Sequence, residues 1–166
     1  MAHRRQFLAV LASACGLTPV IAWLASPSAD VTMSDAFPVR KSDDEWRRSL
    51  TASQYQVLRH HSTERPFTSP LNHEKRTGTF FCAGCAKPLF DSATKFDSGT
   101  GWPSFWRPLE HAVDTRIDRS WLMVRTEVHC ASCGGHLGHV FDDGPPPTGL
   151  RYCINGVALN FKPAQS

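Results

Sequence analysis

Cysteine and histidine carry most of the chemistry this chain could perform. Beyond position 15 the cysteines fall into two matched pairs, Cys82-Ala83-Gly84-Cys85 and Cys130-Ala131-Ser132-Cys133, and one solitary residue, Cys153. In a Cys-x-x-Cys turn both thiolates can face one ion while backbone N–H groups point at the sulfurs, and two such knuckles complete a tetrahedral four-sulfur shell. The pattern predicts one zinc ion on Cys82, Cys85, Cys130 and Cys133. Its role would be structural, because a closed shell leaves no position for water or substrate. Other arrangements use the same residues. Two disulfides would suit an oxidising compartment, a bond within one pair would suit redox exchange, and His136 or His139 could stand in for one sulfur.

Cys153 lies in Arg151-Tyr152-Cys153-Ile154-Asn155. In an extended strand, positions 151, 153 and 155 share a face, which sets a guanidinium, a thiol and an amide side by side. A thiol attacks as thiolate, and a neighbouring cation lowers its pKa toward neutrality, so Arg151 is the expected activator. His136-Leu137-Gly138-His139 follows the second knuckle directly, and either imidazole could serve as general acid near neutral pH. Strand parity puts His136 and His139 on opposite faces, so the two are expected across a turn at Gly138. The aromatic run Gly101-Trp102-Pro103-Ser104-Phe105-Trp106 could be core or could wall a pocket for a small apolar group.

The elements that must position these groups are short. Ser42-Asp43-Asp44-Glu45 has the form of a capping box, with Trp46 and Leu50 giving the helix behind it an apolar stripe. Thr51 and Gln54 repeat the cap, and Tyr55 and Leu58 continue a second helix to about His60. Beyond Pro66, runs such as Thr79-Phe80-Phe81, Leu122-Met123-Val124, His139-Val140-Phe141 and Arg151 to Ile154 alternate with Gly, Pro, Asp and Ser clusters. That pattern predicts short antiparallel strands, hence two small helices on a mainly β body.

The first 29 residues read as an address. Arg4-Arg5 before Phe7-Leu8, an apolar stretch and then small residues resemble a twin-arginine signal peptide, which implies export to a bacterial periplasm. An uncleaved anchor over residues 7–25 is the alternative, although Gly16 and Pro19 interrupt it. Residues 30–40 read as a linker and 41–163 as one domain. The full chain carries 18 basic and 15 acidic side chains, and losing Arg4 and Arg5 leaves 16 against 15. A near-neutral domain offers no electrostatic footprint for nucleic acid.

Six runs occur in a fixed order: Thr63-Glu64-Arg65-Pro66-Phe67, Cys82-Ala83-Gly84-Cys85, Lys95-Phe96-Asp97-Ser98-Gly99, Gly101-Trp102-Pro103-Ser104-Phe105, His136-Leu137-Gly138-His139-Val140-Phe141 and Gly149-Leu150-Arg151-Tyr152-Cys153-Ile154-Asn155. Over residues 41–163 this resembles the B-type peptide methionine sulfoxide reductases. The resemblance implies two antiparallel β-sheets of the Mss4-like, β-tent type, zinc on the four paired cysteines, and reduction of the R epimer of methionine sulfoxide, with oxidised proteins or peptides as substrate. It makes Cys153 the nucleophile, His139 and Asn155 the groups that hold or protonate the sulfoxide oxygen, and Trp102 the wall for the substrate methyl, with His136 and Arg151 in support. Many relatives carry a resolving cysteine where this chain has Thr100. A sulfenic acid at Cys153 is therefore expected to need an outside reductant, a thioredoxin-like protein or a small thiol such as glutathione, with the protein acting as a monomer.

Overall fold

The computed structural model describes residues 37–165, the side chain of Trp121 aside. The expected signal sequence, its anchor alternative and residues 30–36 of the expected linker lie outside the described residues. Helices α1 (Asp43–Ser49) and α2 (Ala52–His60) both begin at complete capping boxes. Ser42 Oγ accepts from the Glu45 backbone N–H while Glu45 accepts from the Ser42 N–H at 2.7 Å, and Thr51 and Gln54 repeat the exchange. Each cap satisfies two orphaned donors of the first turn, so helices of only seven and nine residues hold without length to help them.

Nine strands follow: β1 (Gly78–Cys82), β2 (Pro88–Asp91), β3 (Lys95–Phe96), β4 (Ser104–Phe105), β5 (Val113–Asp118), β6 (Arg125–Cys130), β7 (His136–Phe141), β8 (Arg151–Ile154) and β9 (Leu159–Pro163). They form a three-stranded sheet, β2-β1-β9, and a six-stranded sheet, β3-β4-β8-β7-β6-β5, with every pairing antiparallel. Phenylalanines join the sheets. Phe90 of β2 stacks on Phe105 of β4 at 4.3 Å, and Phe80 of β1 meets the same ring edge-on at 5.0 Å. All three are fully buried, and burying a side chain of that size stabilises by about 1.5–3 kcal/mol. Helix α2 packs across β7 and presents Leu58 to the knuckle glycines Gly84 and Gly135.

Two local expectations change. Leu122, Met123 and Val124 are not a strand. They form the exposed tip between β5 and β6, where apolar side chains have no second layer to pack against. Gly138 is not a turn, since β7 runs unbroken through it. A Cβ there would lie 2.0 Å from the carbonyl oxygen of Cys153, so glycine is what lets β7 and β8 approach.

Candidate active site

The four paired cysteines converge at the ends of both sheets. Cys82 closes β1 and Cys130 closes β6, and each is followed by a turn in which the residue after the second cysteine, Ala86 or Gly134, adopts a left-handed conformation. The turns are matched: the Ala86 N–H donates to the Cys82 carbonyl and the Gly134 N–H to the Cys130 carbonyl, both at 2.9 Å. Sulfur separations are 3.8 Å for Cys82 to Cys133 and 3.6 Å for Cys85 to Cys130, and all four sulfurs lie within 4.8 Å of one another. A disulfide needs about 2.05 Å. The edge of a tetrahedron with metal–sulfur bonds of about 2.3 Å is about 3.8 Å. The donors therefore fit one tetrahedral metal ion joining the two sheets. Neither His136 nor His139 belongs to this cluster, because both bond carboxylates elsewhere.

Cys153 lies on the interior strand β8, between Ser104 of β4 and His139 of β7 in register. Directly opposed residues of an antiparallel pair hold their side chains on one face within contact distance. A pocket of about 110 Å³ opens over the thiol, walled by Trp102, Gly138, His139, Phe141 and Asn155. Burial pushes the thiol pKa up, and Thr100 Oγ1 at 3.8 Å and the charge of Arg151 pull it only part of the way back. Arg151 thus acts in the expected direction, and burial opposes it by favouring the thiol form. Arg151 is itself tied by two 2.8 Å bonds to Asp143 and lies over the Phe141 ring at 4.4 Å.

Both imidazoles reach one side of β7 by way of a bulge. Val128 pairs with Gly138 and His129 with His136, so β7 spends one extra residue, Leu137, against β6. The extra residue reverses strand parity, and His136 and His139 meet edge to face at 5.4 Å. His139 Nε2 bonds Asp118 Oδ2 at 2.8 Å, and burial holds its pKa below the ordinary histidine value. His136 is set back from the thiol pocket. Its Nδ1 bonds buried Glu127 at 2.8 Å, and Glu127 also accepts from His61 and Arg116. Burial pushes Glu127 up, but those hydrogen bonds together hold it well below the usual carboxylate range.

Asn155 and Trp102 are fixed through Glu64. Asn155 Oδ1 accepts from the Glu64 N–H at 2.9 Å while its amide donates to the Leu137 carbonyl at 3.0 Å. Trp102 Nε1 donates to the Glu64 carbonyl at 3.1 Å, and the Glu64 carboxylate accepts the N–H groups of Gly156 and Val157. One residue thus clasps two walls of the pocket. The aromatic run divides, with Phe105 in the core and Trp102 at the pocket. Sequence reasoning gave no role to Glu64, Asp118, Glu127 or Asp143. A signal existed for two of them: Arg116-x-Asp118 and Arg125-x-Glu127 have the same charge order with period two, so antiparallel pairing sets Arg116 against Glu127 and Asp118 against Arg125.

The SelR domain profile matches residues 50–163. The chain belongs to the SelR, B-type methionine sulfoxide reductase family. It is 61% identical over 127 residues to the peptide methionine sulfoxide reductase MsrB of Pseudomonas putida (strain W619), covering 75% of this chain and 95% of the relative. Identity is 58% over 126 residues to the protein of that name in Agrobacterium fabrum, covering 75% and 93% of the two chains. It is 59% over 126 residues to that of Bradyrhizobium diazoefficiens, covering 75% and 91%. Within this family member, Thr100 stands beside the thiol at the position expected for a resolving cysteine, flanked by Gly99 and Gly101 in left-handed conformations.

Proposed function

We propose that this family member reduces the R epimer of methionine sulfoxide, in peptides and oxidised proteins, to methionine, with Cys153 as the attacking group. The observation that carries the reading is the cross-strand pairing of Cys153 with His139 under a pocket walled by Trp102. A methyl sulfoxide presents an apolar methyl, a sulfur and a basic oxygen, and the pocket offers an indole, a thiol and an imidazole to match them. The resting thiol carries the proton that the departing oxygen requires. The Cys153 sulfur bonds the oxygen, the substrate sulfur–oxygen bond breaks, and the thiol proton passes by way of His139 to the oxygen. The products are methionine and a Cys153 sulfenic acid. Asn155 and Trp102, held by Glu64, keep the pocket shaped around that exchange, and the charge of Arg151 favours whatever negative charge develops on the Cys153 sulfur.

An outside thiol then displaces water from the sulfenic acid to form a mixed disulfide, and a second thiol releases Cys153 and leaves as disulfide. Thr100 at 3.8 Å and the gathering of the other four described cysteines in one cluster support this single-thiol cycle. That cluster takes zinc in this reading, and the ion when bound supplies a fixed joint between the sheets. Cys82, Cys85, Cys130 and Cys133 hold it. Arg4-Arg5 before Phe7-Leu8 favours export. The zinc-loaded chain, assayed beside C153S on the R and S epimers of a blocked methionine sulfoxide, tests the reading. Turnover of the R epimer alone, abolished in C153S, is expected. A wild type inactive on both epimers, or an active C153S, refutes it.

A further inference from the structure

The reaction uses His139, and the group that holds His139 is a carboxylate on another strand. Asp118 is the last residue of β5. Its Oδ2 meets His139 Nε2 at 2.8 Å and accepts from Arg125 Nη2 at 2.7 Å, while Oδ1 accepts the Ser120 backbone N–H at 2.9 Å. We propose that Asp118 is a positioning residue in a Cys153–His139–Asp118 relay, fixing the imidazole proton on Nε2 and leaving Nδ1 as the acceptor facing the thiol. The proposal rests on the reading of Cys153 and His139 as the reacting pair.

Placement supports the direction of the relay. His139 lines two adjoining cavities, the pocket over Cys153 and a polar one of about 320 Å³ that also touches His61, Arg116 and Glu127. Asp118 lines only the polar cavity. The carboxylate thus approaches the ring from the side away from the thiol. A neutral imidazole carries one N–H, and a carboxylate can only accept, so the proton resides on Nε2. Nδ1 has no hydrogen-bond partner among the described residues. The groups facing His139 are Asp118 from β5, Arg125 and Glu127 from β6, His136 on its own strand, and Cys153 from β8.

Burial keeps the ring neutral at rest, and Asp118 opposes that effect. Asp118 stays ionised throughout, because its bonds from Ser120, His139 and Arg125 hold its pKa far below the usual range. When Nδ1 takes the Cys153 proton, the imidazolium that forms finds a carboxylate already in place. It then returns the proton to the sulfoxide oxygen as that oxygen leaves sulfur. The thiol loses one proton, the sulfenic acid gains it, and histidine ends as it began.

The competing role is structural, since Asp118 and Arg125 are also cross-strand partners that would brace the β5–β6 hairpin without regard to His139. Kinetics of zinc-loaded wild type, D118N, H139N and the double variant separate the two, with blocked R-methionine sulfoxide as substrate and a dithiol as reductant from pH 5 to 9. An amide at 118 can donate to Nε2 and drive the proton to Nδ1. A loss of about 10²-fold or more in kcat is expected for D118N, with KM within about threefold. The acid limb of its pH profile moves to lower pH, because a contribution that raises the imidazole pKa is gone. The double variant is expected to be no slower than H139N. A D118N enzyme within threefold of wild type, or losses that multiply in the double variant, overturns the relay. Nitrogen-15 shifts of the His139 ring in the wild type give a measurement independent of any variant: protonated Nε2 is expected, and protonated Nδ1 refutes the proposal. A wild type without sulfoxide activity would sink the functional reading instead, which the ring shifts do not address.

Discussion

Replacing Thr100 by cysteine is expected to give this enzyme an internal resolving step. Thr100 Oγ1 is 3.8 Å from Cys153 Sγ, and the flanking Gly99 and Gly101 permit the small backbone adjustment that sulfur–sulfur bonding requires. Before oxidation the change is mild. The Thr100 hydroxyl loses its bond to Ser98 Oγ, but Ser98 keeps a 2.7 Å bond to Ser104, so the cost is about 1 kcal/mol. After oxidation the two positions, 53 residues apart, are cross-linked. Closing a loop of that length removes chain entropy worth about 4 kcal/mol from the unfolded state. For a domain of this size the melting temperature rises by about 10–15 °C. The assay is one equivalent of blocked methionine sulfoxide added to T100C and to wild type without reductant, followed by thiol counting in denaturant with chelator and by calorimetry with and without dithiothreitol. T100C is expected to lose both thiols and gain a reductant-sensitive rise in melting temperature, whereas wild type loses only the Cys153 thiol and gains none. An introduced thiol that stays free after Cys153 has turned over would refute the placement of position 100 beside the nucleophile.

Chelation of the metal is expected to release one zinc per chain and to unfold the domain cooperatively, since the four sulfurs join the ends of β1 and β6; a chelated chain that kept its melting temperature would contradict the clamp. In R151A the alkylation of Cys153 by iodoacetamide should move to higher pH, because the guanidinium is one of the groups lowering the thiol pKa, and an unmoved profile would remove Arg151 from the site. Glu127 gives stability a pH dependence. Its native carboxyl titrates below the ordinary value near 4.5, so the folded state binds fewer protons, and the stabilisation is present above that pH and is lost as pH falls. Urea midpoints measured from pH 6 to 3 should therefore fall more steeply in wild type than in E127Q, and parallel slopes would count against it.

What was legible in the sequence was local. The capping boxes at Ser42 and Thr51 depend on residues three apart, and both formed as read. The knuckles were equally plain, because the geometry of a Cys-x-x-Cys turn is fixed within four residues. Placement of His136 and His139 failed for a non-local reason. Strand parity is a property of the chain, but the bulge that reverses it at Leu137 is set by the pairing of β7 with β6. The apolar run at Leu122 looked like a strand because periodicity reports what a segment could bury, and at a hairpin tip there is nothing to bury against. The partners of the site residues, Asp118, Glu127, Asp143 and Glu64, were the least legible. A carboxylate 21 positions from the histidine it holds leaves no spacing signature until the strand register is known.

In the single-thiol cycle proposed above, Thr100 also fixes how this enzyme ages. An internal resolving thiol would seal the sulfenic acid at a rate set by the molecule itself. With threonine there, sealing waits on a collision, and its rate scales with the concentration of reducing thiol. During that wait one equivalent of peroxide can carry Cys153 on to the sulfinic acid, from which thiols do not return it. Each turnover is therefore a race between two solutes for one unsealed intermediate. The ratio of thiol to peroxide around the protein governs how many methionines one molecule repairs before it is itself spent.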